Sequence, residues 1–142
     1  AVQDRGAGPG GPYPGRGDLH VQGAEMKIYA FDVDHTIEHF GGPVKLQDIV
    51  DLRNEGHIVG LCGNFAGITL NFPDWHRVFS FIGQMEMSKA AFLAQIRMYA
   101  RADDYVMVGN IINVSGASDD EGAAQRAGWR FIKESDFAAG AR

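Results

Sequence analysis

The segment KIYAFDVDHTIEHF, residues 27–40, begins with five mostly apolar residues and continues with two aspartates one residue apart. Its first part, residues 27–31, has the length and composition of a buried strand. Burying a carboxylate without compensation is costly, so two carboxylates are not expected inside a core. We therefore expect Asp32 and Asp34 to lie at the reactive edge of a sheet, outside its core.

Strand-like and helix-like patterns alternate after this segment. The strand-like runs are short and apolar, and the helix-like runs place apolar residues three or four positions apart. The predicted strands are residues 27–31, 57–62, 77–82, 105–108 and 129–132, and the predicted helices are residues 46–55, 89–101 and 121–128. This alternation predicts an α/β fold with a parallel sheet flanked by helices.

Composition narrows the class of protein. The chain has 142 residues and a formal net charge of -5, so the basic excess of a nucleic-acid binder is absent. No run approaches the roughly 18 apolar residues of a membrane helix. The single Cys62 cannot form an internal disulfide, and this fits a reducing, cytoplasmic setting. We expect no nucleic acid and no membrane among its partners.

The first 25 residues differ from the rest of the chain. They are rich in Gly and Pro and poor in large apolar residues, so they cannot bury enough surface to offset their ordering entropy. We expect residues 1–25 to be a flexible leader, either added for expression or an upstream extension, with Met26 as the natural start. Residues 26–142 are then a single domain.

Small and polar residues follow three of the predicted strands. In parallel α/β folds the ligand site lies beyond the carboxyl ends of the strands. These ends carry Asp32 and Asp34, then Gly63 and Asn64, then Gly109 and Asn110. The sequence therefore predicts a ligand site at this edge of the sheet.

Four stretches in this order resemble the motifs of the haloacid dehalogenase-like (HAD) superfamily of phosphohydrolases. YAFDVDHTI, residues 29–37, matches the first motif. GHIVGLCGN, residues 56–64, has the frame of the second, and the Lys of MSKAAF, residues 87–92, is the candidate for the third. VMVGN, residues 106–110, and SDDEGAAQRAGWRFI, residues 118–132, match the fourth.

This resemblance implies a three-layer, Rossmann-like parallel sheet with helices on both faces and no cap domain. It also implies a Mg²⁺-dependent phosphohydrolase in which Asp32 is the nucleophile, Asp34 the general acid and base, and Lys89 the cation that neutralises the phosphate. The residues implied to bind the phosphate are Thr36, Gly63 and Asn64, and those implied to hold Mg²⁺ are Asp32, Asp34, Asn110, Asp119 and Asp120. A phosphorylated substrate of unknown size is the implied ligand.

Two positions depart from the family pattern. Gly63 stands where a hydroxyl is usual, although its backbone N–H and the Asn64 amide could donate instead. Asn110 replaces an aspartate and removes one negative charge, which weakens a magnesium site. Asp119 or Asp120 could compensate only if residues 111–118 fold back over the site.

These departures leave alternatives open. Asp119 and Asp120 are equally well explained as helix caps, and Lys89 as a solvated residue at a helix start. The chain as a whole can be an enzyme, or a catalytically impaired HAD-like scaffold used for binding or assembly. A partner, or a second copy of the chain in a homo-oligomer, could supply the missing lid.

Overall fold

The computed structural model describes residues 25–142. The prediction of a flexible leader therefore lies outside the described residues, except for its last position, Glu25.

Strands and helices alternate through the described part of the chain. The strands are β1 Lys27–Phe31, β2 Ile58–Cys62, β3 Phe81–Gly83, β4 Asp104–Gly109 and β5 Arg130–Lys133. The helices are α1 Leu46–Asn54, α2 Phe65–Asn71, α3 Lys89–Tyr99, α4 Asp120–Ala127 and α5 Glu134–Ala138, and Trp75–Arg77 form a 3-10 turn.

The strands form one five-stranded, all-parallel sheet in the order β3-β2-β1-β4-β5. The central strand β1 pairs with β2 and β4, and Phe31 lies opposite Leu61 on one side and Val108 on the other. The α/β prediction is confirmed, and the strand order is consistent with a Rossmann-like fold. This order brings the ends of β1, β2 and β4 together at one edge.

Alternate residues of β1 pack in two different hydrophobic clusters. Tyr29 and Phe31 belong to a cluster that includes residues of α1, α2 and α5. Ile28 and Ala30 belong to a second cluster that includes residues of α3 and α4. This packing explains the apolar run from Ile28 to Phe31, because both sets of alternating side chains are buried in hydrophobic clusters.

Two helix starts follow the capping rules. The Ser88 side chain accepts a hydrogen bond from the Ala91 N–H at the start of α3, and Asp119 does the same for the Gly122 N–H at the start of α4. Gly128 then ends α4 with a left-handed φ of 76°. These caps fix where Lys89 and Asp120 begin their helices.

The predicted elements between the second strand and residue 88 are wrong in part. The sequence predicts a strand over 77–82 and no helix in this stretch, but α2 spans Phe65–Asn71 and the strand covers only Phe81–Gly83. The buried Phe79 packs in the first cluster from irregular backbone, so its apolar character does not reflect strand pairing.

Between residues 25 and 142, every helix is too short or too polar to cross a membrane.

Candidate functional site

The end of β1 delivers Asp32 to the predicted edge of the sheet. The Asp32 N–H donates to the Val108 carbonyl at 2.9 Å and so continues the pairing with β4 for one more residue. The Asp32 residue is only 3% exposed. The expectation that this carboxylate lies outside the core is therefore wrong for Asp32, while Asp34 is exposed as expected.

The burial of Asp32 is compensated by a lysine from α3. Lys89 Nζ lies 3.0 Å from Asp32 Oδ1 and 2.7 Å from Asp120 Oδ1, where Asp120 is the fully buried first residue of α4. The Lys89 side chain is 16% exposed, so the alternative that Lys89 is an ordinary solvated residue at a helix start is wrong. We call Asp32, Lys89 and Asp120 the acidic triad. These three residues lie far apart in the sequence and meet only in the folded chain.

One ammonium group does not fully compensate two buried carboxylates. Burial raises the pKa of Asp32 to about 7; Lys89 lowers it, and the neighbouring Asp120 carboxylate raises it. Burial alone would lower the pKa of Lys89, but Asp32 and Asp120 together outweigh burial and raise it. With all three groups ionised the triad carries one negative charge, and an additional cation would be favourable beside it.

Two further residues of the predicted site lie close to the first-motif aspartates. Thr36 is fully buried, and its Oγ1 lies 3.4 Å from Asp32 Oδ2. The Asn64 side-chain amide lies 3.2 Å and 3.3 Å from the two oxygens of Asp34. Asn64 therefore orients the exposed carboxylate of Asp34, a role that its position after β2 did not reveal.

Gly63 packs directly against the Asp32 carboxylate. A Cβ atom at this position would lie 2.2 Å from Asp32 Oδ1, so a serine or threonine would require the carboxylate to move. The Gly63 N–H already donates to the Gly83 carbonyl at 2.7 Å. Gly63 thus has neither a hydroxyl nor a free N–H, and the expectation that its N–H could bind phosphate is wrong for this arrangement.

The segment after β4 returns Asp120 to the site. Asp120 Oδ2 accepts the Asn110 N–H at 2.8 Å. A Cβ at Gly109 would lie 2.4 Å from the same oxygen, so this approach requires glycine. Asp119 caps α4, and its carboxylate lies 3.9 Å from Arg126. For Asp119 the structure therefore agrees with the interpretation as a helix cap. Asp120 is part of the site, where its carboxylate contacts both Lys89 and the Asn110 N–H.

Glu134 was not predicted from the sequence, and it lies beside Asn110. Glu134 is 4% exposed and Asn110 is 1% exposed. Asn110 Nδ2 donates to Glu134 Oε1 at 2.9 Å and to the His35 carbonyl at 3.0 Å. Ser115 Oγ donates to the same Glu134 oxygen at 2.5 Å. The strand register explains the contact, since Gly109 lies opposite Lys133 and the next residues are Asn110 and Glu134.

The oxygen donors at this edge are of the kind that Mg²⁺ prefers. They are the Asp32 carboxylate, which accepts from Lys89 and Thr36, and Asn110 Oδ1. Within residues 25–142 the hydrogen bonds of Asn110 use its N–H and Nδ2, and none ends on its Oδ1. The same residues contain no group of three or more His, Cys, Asp or Glu side chains arranged to hold a metal ion. A Mg²⁺ ion in a protein usually keeps several of its own waters, so a site with few protein ligands would have to rely on them.

Comparison with known proteins adds no assignment: no family model, no curated protein and no solved structure matches this chain.

Proposed function

We propose that this chain is a Mg²⁺-dependent phosphohydrolase of the HAD type. The acidic triad carries the proposal. Asp32 is buried at the end of the central strand and pairs with Lys89 at the start of α3. Asp120, at the start of α4, pairs with the same lysine. Stability alone does not require a buried group of charges, because replacing a buried ion pair by apolar residues is often neutral or stabilising. A functional role is therefore the better explanation of the triad.

In the first chemical step, a carboxylate oxygen of Asp32 attacks the phosphorus of a phosphate monoester. The bond between phosphorus and the ester oxygen breaks, and the leaving oxygen takes a proton from Asp34. Asp34 suits this task, because it is exposed to the substrate side and its carboxyl is oriented by Asn64. Lys89 stabilises the negative charge on the phosphoryl oxygens.

In the second step, Asp34 takes a proton from a water molecule as the water attacks phosphorus. The bond between phosphorus and Asp32 breaks, inorganic phosphate leaves, and the Asp32 carboxylate is regenerated. Bound Mg²⁺ would supply positive charge beside the phosphoryl group, held by Asp32, the Asp34 carbonyl and Asn110. Asp120 acts through Lys89, which it keeps in place and charged.

The proposed architecture is the three-layer, Rossmann-like sheet of this superfamily without a cap domain. An uncapped site admits large or extended phosphorylated substrates but excludes water poorly. We propose that a partner, or a second copy of the chain, covers the site when water must be excluded.

A catalytically impaired scaffold is the second candidate function, and Gly63 is the observation that favours it. The position has no hydroxyl and its N–H is already used, so one usual phosphate contact is missing. A scaffold would retain the fold and the triad but would not turn over phosphate esters.

Hydrolysis of p-nitrophenyl phosphate with and without Mg²⁺ separates the two candidates. For the enzyme, we expect Mg²⁺-dependent turnover that Asp32→Asn reduces by at least about 1,000-fold, because the nucleophile is lost. Asp51→Asn makes the same chemical change at an exposed position on α1 and should leave turnover unaltered.

Two results would contradict the proposed enzyme. Unchanged turnover in Asp32→Asn would show that the activity does not use this nucleophile. Absence of turnover by the wild-type protein over a panel of phosphate esters would favour the scaffold.

A further inference from the structure

Asn110 and Glu134 form a buried pair whose chemistry is matched. Glu134 presents a carboxylate, which only accepts hydrogen bonds, and Asn110 presents an amide group, which donates. The second amide hydrogen of Asn110 goes to the His35 carbonyl, another acceptor. An aspartate at position 110 would offer no donor to either neighbour.

The surroundings of Glu134 reinforce this requirement. Its Oε1 also accepts from Ser115 Oγ, and its Oε2 accepts from the Ser135 N–H at 3.0 Å. Ser115 Oγ in turn accepts the Ile111 N–H at 3.1 Å. Neutral donors thus surround Glu134, and a second carboxylate at position 110 would place two like charges in contact in a buried site.

We infer that Glu134 is a positioning residue that determines the amide at position 110. It binds one hydrogen of Asn110 Nδ2, and the His35 carbonyl binds the other, so Oδ1 is the side-chain atom left for a ligand. The substitution of aspartate by asparagine is then compensated by a carboxylate carried on the neighbouring strand end. The pairing of Glu134 with Asn110 is inferred from the hydrogen bonds alone. The inference that Asn110 Oδ1 is held ready for a cation rests on the proposed function.

A double-mutant cycle in EDTA tests the pairing without any ligand. Asn110→Asp alone should lower the ratio of folded to unfolded protein by at least about 30-fold, because it leaves two buried carboxylates in contact. In a Glu134→Gln background the cost of the same substitution should be at least about 10-fold smaller, since the Gln amide can donate to the introduced carboxylate, while the lost contact with the His35 carbonyl is the same in both backgrounds. Urea unfolding measures all four proteins.

A second background keeps the test decisive if Asn110→Asp does not fold. Glu134→Ala removes the opposing carboxylate altogether, so Asn110→Asp combined with Glu134→Ala should fold. Equal costs of Asn110→Asp in the wild-type, Glu134→Gln and Glu134→Ala backgrounds would overturn the pairing.

Magnesium binding tests positioning separately from folding. By calorimetry, we expect Glu134→Ala to weaken Mg²⁺ binding about 10-fold and Glu134→Gln, which keeps an acceptor for Asn110, to weaken it much less. In an Asn110→Ala background, Glu134→Ala should have no further effect. An additional loss of affinity in that background would overturn the positioning role.

The same measurement separates the effect of Glu134 on a bound cation from its pairing with Asn110. If the wild-type protein binds no Mg²⁺, the cation part and the proposed function fail together, and the folding cycle still decides the pairing.

Discussion

Asp32 and Glu134 are buried carboxylates that follow parallel strands of the same sheet, but their surroundings differ. Asp32 is compensated by one ammonium group that it shares with Asp120, whereas Glu134 is surrounded by neutral donors. Burial raises the pKa of Asp32 to about 7. Burial would also raise the pKa of Glu134, but hydrogen bonds from Ser115, Asn110 and the Ser135 N–H outweigh it and lower the pKa.

The difference is the one that the proposed function requires of the two carboxylates. Glu134 accepts three hydrogen bonds from the protein itself, which hold it in place beside Asn110. Asp32 remains undercompensated, because the triad retains a net negative charge when ionised. A buried charge that the fold leaves undercompensated is typical of a functional site.

Removing the shared cation should produce the largest loss of stability at a fixed pH. Lys89→Met keeps the length of the side chain but leaves Asp32 and Asp120 buried without a counter-charge. We expect a loss of about 3 kcal/mol in the free energy of unfolding at pH 8, measured with urea in EDTA. Lys45→Met, at an exposed lysine before α1, is the matched control. Equal losses in the two variants would mean that the triad does not form in solution.

The dependence of stability on pH should show opposite signs for the two carboxylates. The pKa of Asp32 is raised from 3.8 to about 7, so the folded state binds more protons than the unfolded state between these values. Its contribution to stability is complete below pH 3.8 and is lost as the pH rises through about 7. The pKa of Glu134 is lowered from 4.5, so its contribution is present above pH 4.5 and is lost as the pH falls through the folded value.

Thermal unfolding in EDTA across this pH range checks both signs. Asp32→Asn should remove a slope of up to about 1.4 kcal/mol per pH unit between about pH 4 and 7. Glu134→Gln should flatten the loss of stability below pH 4.5. A slope in the higher range that is unchanged in Asp32→Asn would contradict the undercompensated burial of this group.

Removing one neutral donor from Glu134 should have the smallest effect of the three. Ser115→Ala deletes the hydroxyl that donates to Glu134 Oε1 and should cost about 1.5 kcal/mol of stability. Ser80→Ala removes an exposed hydroxyl and should cost close to nothing. If Ser115→Ala is as harmless as Ser80→Ala, then the hydrogen bonds around Glu134 do not hold this carboxylate as described.

Local sequence predicted the elements whose signals are local. The bounds of β1 agree with the structure because an apolar run ends at a charged residue, and α3 begins where Ser88 can cap it. α2 was missed, because Ile68 is its one buried residue and gives no helical period. The pairing of Glu134 with Asn110 was missed for another reason, since it depends on the register between β4 and β5.

By itself, the sequence determined an α/β chain with carboxylates and small polar residues at its strand ends, because strand length, helical period and capping are set by near neighbours along the chain. Only the tertiary structure decided that β1 lies between β2 and β4, that Lys89 joins Asp32 to Asp120, and that Gly63 packs on the Asp32 carboxylate. These contacts join residues tens of positions apart, and they form only when strand order and register bring the ends of the strands together.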